Sequence, residues 1–119
     1  MAGRRIELGT VVAERRLRVA GRPDLDVRVR IGMPRAFEME HLDYFCPYQV
    51  IGIGSEKVRY AGGVDPLQAL ELAVLILPTE LEALRREHPG LGWEDAPDGD
   101  YGFTPTVMAY PPPPPQETR

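Results

Sequence analysis

The stretch "TVVAERRLRVAGRPDLDVRVRI" (residues 10–31) alternates apolar and charged residues on both sides of a short break. Alternation with period two is typical of half-buried strands. The break "AGRPD" (residues 20–24) combines glycine and proline and is typical of a turn. We therefore predict an antiparallel hairpin with one apolar and one charged face.

The register of this hairpin follows from matching apolar to apolar and acid to base residues across the two strands. One contact between like charges, Arg16 with Arg28, is the cost of that match. The predicted cross-strand pairs are Val19 with Leu25, Leu17 with Val27, Arg18 with Asp26, and Glu14 with Arg30.

The charged face of the hairpin carries a candidate anion-docking surface, formed by Arg16, Arg18, Arg28 and Arg30. The alternative is a solvated face on which Glu14 and Asp26 neutralise the arginines, because exposed charges of mixed sign are common on protein surfaces. Arg15 intrudes on the apolar face of its strand.

A second hairpin is predicted over "YQVIGIGSEKVRYAG" (residues 48–62), with a two-residue turn at Ser55 and Glu56. That turn pairs Ile53 with Val58. A phosphate-binding loop is the alternative, but such a loop opens a helix. Here the glycines lead into a strand pattern and Lys57 stands where a dinucleotide fingerprint needs its third glycine.

A long helix is predicted to begin after Asp65, a good N-cap, with proline at the first helical position and Gln68 placed for a capping box. Pro78 removes a helical hydrogen bond, so the helix should kink there or restart at Thr79. Pro89 should end the helix together with the following glycine. The predicted buried stripe is Leu67, Leu70, Val74, Leu77, Leu81 and Leu84.

These elements predict an α+β fold, with an antiparallel sheet of about four strands packed against one long helix kinked near Pro78. The domain is predicted to span residues 1–90, followed by an irregular proline-rich tail over residues 91–119. Three aromatic residues of that tail are candidates to dock back as anchors: Trp93, Tyr101 and Phe103. The run from Pro111 to Pro115 is either a spacer or a ligand for an aromatic groove.

Length and charge limit the possible functions. A chain of 119 residues suits one domain with one core. One cysteine, no apolar run near the roughly 20 residues of a membrane span, and charges at the N-terminus indicate a soluble cytoplasmic protein. The net charge of −4 divides into +5 over residues 1–35 and −9 over residues 36–119, and an acidic whole argues against nucleic-acid binding.

The loop over residues 35–48 is where catalytic chemistry would be sought, because it brings Cys46 and His41 close in sequence. His88 is the other histidine. Cys46 stands between Phe45 and a proline, a setting that keeps a thiol inert. The acidic residues of this loop lack the spacing of zinc ligands, so we assign no catalytic residue, no metal and no cofactor.

We prefer an interaction surface to a catalytic loop, because the helix before Pro78 is apolar on more than one face. The partner is expected to be another protein or a second copy of this chain, as in a dimer. The candidate interface residues are Leu72, Leu75, Ile76, Phe37, Tyr44 and Phe45.

The segments "CPYQVIGIG" (residues 46–54) and "GGVDPLQALELAV" (residues 62–74) resemble a family of small uncharacterised bacterial proteins that carry a domain of unknown function. In that family a Cys-Pro-aromatic-Gln strand feeds a Gly-Val-Asp-x-x-Gln-Ala-Leu helix. The resemblance covers residues 10–88 and implies a bacterial, cytoplasmic origin, but it brings no catalytic residue.

The sequence therefore predicts a non-catalytic protein-interaction module, such as an accessory subunit, an adaptor or an immunity-like protein. The alternative is a small enzyme or ligand-binding domain that uses the loop over residues 35–48 with Cys46 and His41.

Overall fold

A computed structural model describes residues 5–38, 43–94 and 99–103 of the chain. In these residues an antiparallel sheet of six strands packs against one helix, so the predicted α+β class is confirmed, with more strands than predicted. The elements are β1 (Val11–Val19), β2 (Val27–Gly32), β3 (Arg35–Ala36), β4 (Tyr44–Ile51), β5 (Arg59–Gly63), α1 (Pro66–Glu87) and β6 (Leu91–Trp93).

The first hairpin, β1 with β2, has the predicted register from Glu14 to Leu17. Leu17 lies opposite Val27 and Glu14 lies opposite Arg30. The ladder ends at Leu17, and a tight turn follows in which Arg22 donates its backbone N–H to the Val19 carbonyl at 3.0 Å. The predicted pairs beyond Leu17 are therefore not part of the ladder.

Strand β4 lies between β5 on one side and β2 on the other. Tyr48 shows this arrangement, because it pairs with Arg59 of β5 and with Ile31 of β2. β3 continues along the β2 side of β4, β1 lies beyond β2, and β6 pairs with the last residues of β1. β5 and β6 are therefore the outer strands of the sheet in the described part of the chain.

The predicted turn of the second hairpin is wrong. Tyr48 lies opposite Arg59, whereas the prediction placed Ile53 opposite Val58. Residues 52–58 form a wide loop between β4 and β5 in place of a two-residue turn.

The backbone explains why the strand stops at Ile51. Gly52 has a φ of 98° and Gly54 a φ of 72°, values that favour glycine and break the extended conformation. Gly52 donates its N–H to the Glu56 carboxylate at 2.7 Å, which closes the loop on itself. Ile53 is thereby turned into the core, where it is 6% exposed.

Helix α1 begins after Asp65, as predicted, with Asp65 as its N-cap. The Asp65 carboxylate accepts the N–H of Gln68 at 2.8 Å, and the Gln68 side chain accepts the N–H of Val64 at 2.8 Å. Two N–H groups at the helix start are thus satisfied by side chains. The helix runs without interruption to Glu87, so the restart at Thr79 does not occur and a kink at Pro78 is not confirmed.

The buried face of α1 differs from the predicted leucine stripe. The buried residues are Ala69, Ala73, Leu77 and Leu81, whereas Leu67 is 64% exposed. Alanines lie inside because the helix approaches β5 closely: a Cβ placed on Gly63 would lie 2.5 Å from the Ala69 nitrogen. Side chains larger than alanine would hold the helix farther from this strand.

The chain after Gly90 contributes to the sheet and its core. β6 pairs with β1, Leu91 is fully buried, and Tyr101 is 6% exposed. The sequence placed these residues in an irregular tail. The polyproline run lies outside the described residues. No helix in the part of the chain described here combines the length and the apolar character that a membrane crossing requires.

Candidate interaction surface

The charged face of the first hairpin is a network of ion pairs. Glu14 lies between Arg30 at 2.7 Å and Arg28 at 3.4 Å, and Asp26 lies between Arg16 at 3.0 Å and Arg28 at 3.1 Å. The hydrogen bond from Arg30 lowers the pKa of Glu14, and the one from Arg16 lowers the pKa of Asp26. Three guanidinium groups thus share two carboxylates.

Arg18 completes the set of four arginines that the sequence singled out. Its Nε donates to the Glu94 carbonyl at 2.6 Å, a bond that does not cancel its charge. All four arginines lie on strands β1 and β2, so the structure brings them together as predicted. Docking of an anion on them stays a prediction.

An aromatic cluster lies at the other end of the sheet. Phe37 and Phe45 have ring centroids 4.5 Å apart, and Tyr60 packs edge-on against both. The Arg35 guanidinium covers Phe45 at 4.7 Å and donates to the Leu8 carbonyl, so it fastens the N-terminal segment over the cluster. Phe45 is 7% exposed and offers little surface to a partner.

The helix residues predicted for an interface have mixed positions. Leu75 is 48% exposed, whereas Leu72 and Ile76 pack against the core. Tyr44 also packs against the core. These residues do not form one continuous exposed patch, because the helix is rotated relative to the predicted stripe.

Cys46, the candidate nucleophile, is fully buried. Burial raises the pKa of its thiol to about 11, and the thiol donates weakly to the Gly32 carbonyl at 3.5 Å. His41 lies outside the described residues, and His88 caps the helix end through a backbone bond to Leu84. Within the described ranges no three metal-ligating side chains cluster.

The surface that the sequence did not identify is the edge of β1. β6 pairs only with residues 17–19 of β1, so among the described residues nothing pairs with Val11–Arg16 on the side away from β2. Val11 is 40% exposed and Val12 is 47% exposed. We call Val11–Arg16 the β1 edge.

A shallow groove of about 240 Å³ runs beside the β1 edge, between the sheet and the helix. It exists because α1 packs over β4 and β5 and leaves this part of the sheet uncovered. We call it the β1 groove; its lining residues include Ala13, Val29, Ile31, Val74 and Phe103.

Arg15 forms one end of the groove. Its guanidinium lies 4.4 Å from the ring centroid of Trp93 and 5.3 Å from that of Phe103. It also donates to the carbonyls of Tyr101 at 3.2 Å and Gly102 at 2.6 Å. The arginine that intrudes on the apolar face is thus the residue that holds the C-terminal segment in place.

The same segment is fastened to the helix by Tyr101. Its hydroxyl donates to the Glu82 carboxylate at 2.7 Å, and Arg85 binds that carboxylate from the other side at 2.7 Å. These bonds lower the pKa of Glu82 to about 2. The C-terminal segment beside the β1 groove is therefore held both by Arg15 of β1 and by Glu82 of α1.

The opposite outer strand, β5, is different in character. A wider depression of about 800 Å³ runs along it, and its lining includes Arg5, Lys57 and Arg59. Charged side chains beside an outer strand discourage the addition of another strand. The β1 edge also carries charges, at Glu14, Arg15 and Arg16, but it begins with two exposed valines, Val11 and Val12.

Residues 13–105 match the family described as a domain of unknown function (DUF6968). The match includes the whole β1 groove. Comparison with curated proteins and with solved structures gave no match.

Proposed function

This chain belongs to the DUF6968 family, and we propose that it is a non-catalytic protein-interaction module, such as an accessory subunit, an adaptor or an immunity-like protein. We further propose that it is bacterial and cytoplasmic, in keeping with its single reduced cysteine. The partner is another protein or a second copy of the chain.

One observation carries the proposal: on its outer side the β1 edge has no strand partner among residues 5–38, 43–94 and 99–103, and it carries exposed apolar side chains. Valines at positions 11 and 12 are large apolar residues at 40% and 47% exposure beside an open strand. Proteins usually protect such edges with charges, prolines or a covering segment, because an open edge invites pairing with another chain. An apolar open edge is accordingly a good place for an interface.

The chemistry of the described residues agrees with a binding role. Cys46 is buried with a raised thiol pKa, which is the opposite of what a nucleophile needs. Hydrogen bonds of Arg15 and Tyr101 hold the wall of the groove in place. A rigid wall beside an open edge favours recognition of a partner.

The test is the recovery of partners from the organism that encodes the chain, with a tagged full-length protein. Val12→Lys places a charge on the β1 edge, and Thr79→Lys places the same charge at an exposed helix position away from it. We expect Val12→Lys to lose a partner that the parent and Thr79→Lys both retain. Equal recovery by all three proteins, each with an unchanged circular dichroism spectrum, would refute the proposal.

A further inference from the structure

We propose that the β1 edge accepts an extended segment of another protein as an added antiparallel strand, with an acidic residue opposite Arg16 and apolar residues directed into the β1 groove. The inference rests on the proposed function and specifies the class of partner. Strand addition of this kind obtains affinity from backbone hydrogen bonds and specificity from alternate side chains.

The backbone already contains the start of such an arrangement. β6 runs antiparallel to β1 but covers only residues 17–19, with Trp93 opposite Leu17. A strand that continues the line of β6 would lie beside Ala13–Arg16, where β1 keeps a regular register with β2. These four residues span roughly 13 Å, enough for a short peptide strand. The irregularity between Val11 and Ala13 sets the far end of the site.

The two faces of the added strand would meet different surroundings. Ala13 and Val29 contribute to the groove on the helix side of the sheet, together with Val74 of the helix. Since side chains alternate along a strand, every second residue of the partner would point into this apolar groove. The residues between them would point to the charged face.

Charge selects the residue opposite Arg16. The four arginines of that face are accompanied by the carboxylates of Glu14 and Asp26 and by Glu94, whose charge also acts on Arg16. One positive charge is left in excess. The Arg16 side chain is 69% exposed and shares Asp26 with Arg28. An aspartate or glutamate directly across from Arg16 would complete the pairing, because opposite charges across strands are favourable.

A second copy of the chain is a poor source of that residue. In a twofold pairing of two β1 strands, the register that brings Glu14 opposite Arg16 also places Arg15 opposite the Arg15 of the other copy. Like charges directly opposite each other are unfavourable. The partner strand is therefore expected to come from a different sequence.

The probe is a synthetic peptide, Asp-Val-Thr-Val-Thr-Gly, acetylated at its N-terminus and fluorescently labelled at its C-terminus, in which the aspartate is intended to face Arg16 and the valines to enter the groove. It begins at the aspartate because Trp93 occupies the position opposite Leu17. One control peptide replaces the aspartate with lysine, and another replaces the first threonine with proline, which cannot complete the strand ladder. Binding to the full-length protein is measured by fluorescence anisotropy, and hydrogen exchange locates the peptide.

We expect the aspartate peptide to bind roughly fivefold more tightly than the lysine peptide, as exposed charge pairs allow, and the proline peptide not to bind. Arg16→Glu should reverse the preference between aspartate and lysine. Bound peptide should slow the exchange of the amides of Ala13–Arg16 that point away from β2.

Three results would overturn the inference. The first is an aspartate peptide that does not bind. The second is protection of the β1 edge in the free monomer, which would assign the edge to the chain's own residues. The third is a dimer that Val12→Lys converts to a monomer, which would assign it to a second copy. Loss of a partner by Val12→Lys without peptide binding would leave the proposed function intact and remove only this inference.

Discussion

The hydroxyl of Tyr101 lies 2.7 Å from the carboxylate of Glu82, and this bond joins the segment after β6 to the C-terminal part of helix α1. The residues are 19 positions apart in the chain. Between them the chain leaves the helix, adds β6 to the sheet and returns to the helix surface. The contact therefore closes the side of the domain that contains the β1 groove.

Removal of the Tyr101 hydroxyl should loosen this closure. Tyr101→Phe is expected to lower the free energy of unfolding by about 1 kcal/mol, the usual net value of one hydrogen bond. Tyr60→Phe is the matched control, because Tyr60 is 45% exposed and packs through its ring. Chemical denaturation measures both variants; equal stability of the two would contradict the assigned role of the hydroxyl.

The same pair predicts how stability depends on pH at both extremes. The pKa of Glu82 is lowered to about 2, chiefly by the hydrogen bond from Arg85, so its contribution is present above the ordinary glutamate pKa of 4.5 and is lost as the pH falls toward 2. Burial and the bond to Glu82 raise the pKa of Tyr101 to about 12, so its contribution is present below pH 10 and is lost as the pH rises toward 12.

Glu82→Gln should therefore flatten the acid limb of a plot of melting temperature against pH, and Tyr101→Phe should flatten the alkaline limb. If the melting temperature of Glu82→Gln falls as steeply as that of the parent on the acid side, Glu82 does not set the pH dependence of stability there. The same holds for Tyr101→Phe and Tyr101 on the alkaline side.

Close packing of α1 on β5 predicts a sharp difference between two neighbouring glycines. A Cβ on Gly63 would lie 2.5 Å from the Ala69 nitrogen, whereas a Cβ on Gly62 would meet only the Tyr44 carbonyl at 3.7 Å. We expect Gly63→Ala to destabilise the protein by roughly 1–3 kcal/mol, because backbone must move, and Gly62→Ala to have little effect. Thermal melting of the two variants decides; similar melting temperatures would mean that the helix does not lie this close.

The buried thiol of Cys46 should resist modification in the folded protein. Burial raises its pKa to about 11, so very little thiolate is present at neutral pH. A thiol reagent should label Cys46 only as fast as the protein unfolds, and much faster in denaturant. Rapid labelling of the native protein would reopen the alternative in which the loop over residues 35–48 acts chemically.

The sequence predicted those parts of the fold that are determined by residues close together in the chain. The Glu14–Arg30 and Leu17–Val27 pairs follow from alternation on both strands of one hairpin. The cap at Asp65 follows from local hydrogen bonding between neighbouring residues. Neither depends on the rest of the domain.

The errors arose where tertiary packing overrides the local pattern. The leucine stripe is the stronger periodic signal, yet Ala69 and Ala73 face the sheet because Gly63 of β5 lets the helix approach closely. β6 is only three residues long and has no alternation to detect. Arg15 on the apolar face was the available signal that another segment covers β1, and the β1 edge could be identified only after β6 was placed.

The central claim is that a protein partner pairs with the β1 edge. Hydrogen exchange on the full-length chain, alone and bound to a partner recovered from the organism that encodes it, tests this claim most directly. We predict slower exchange at Ala13–Arg16 and around Val74 in the complex, with little change along β5. Protection confined to β5 or to the helix surface around Leu75, with unchanged exchange at the β1 edge, would contradict the claim.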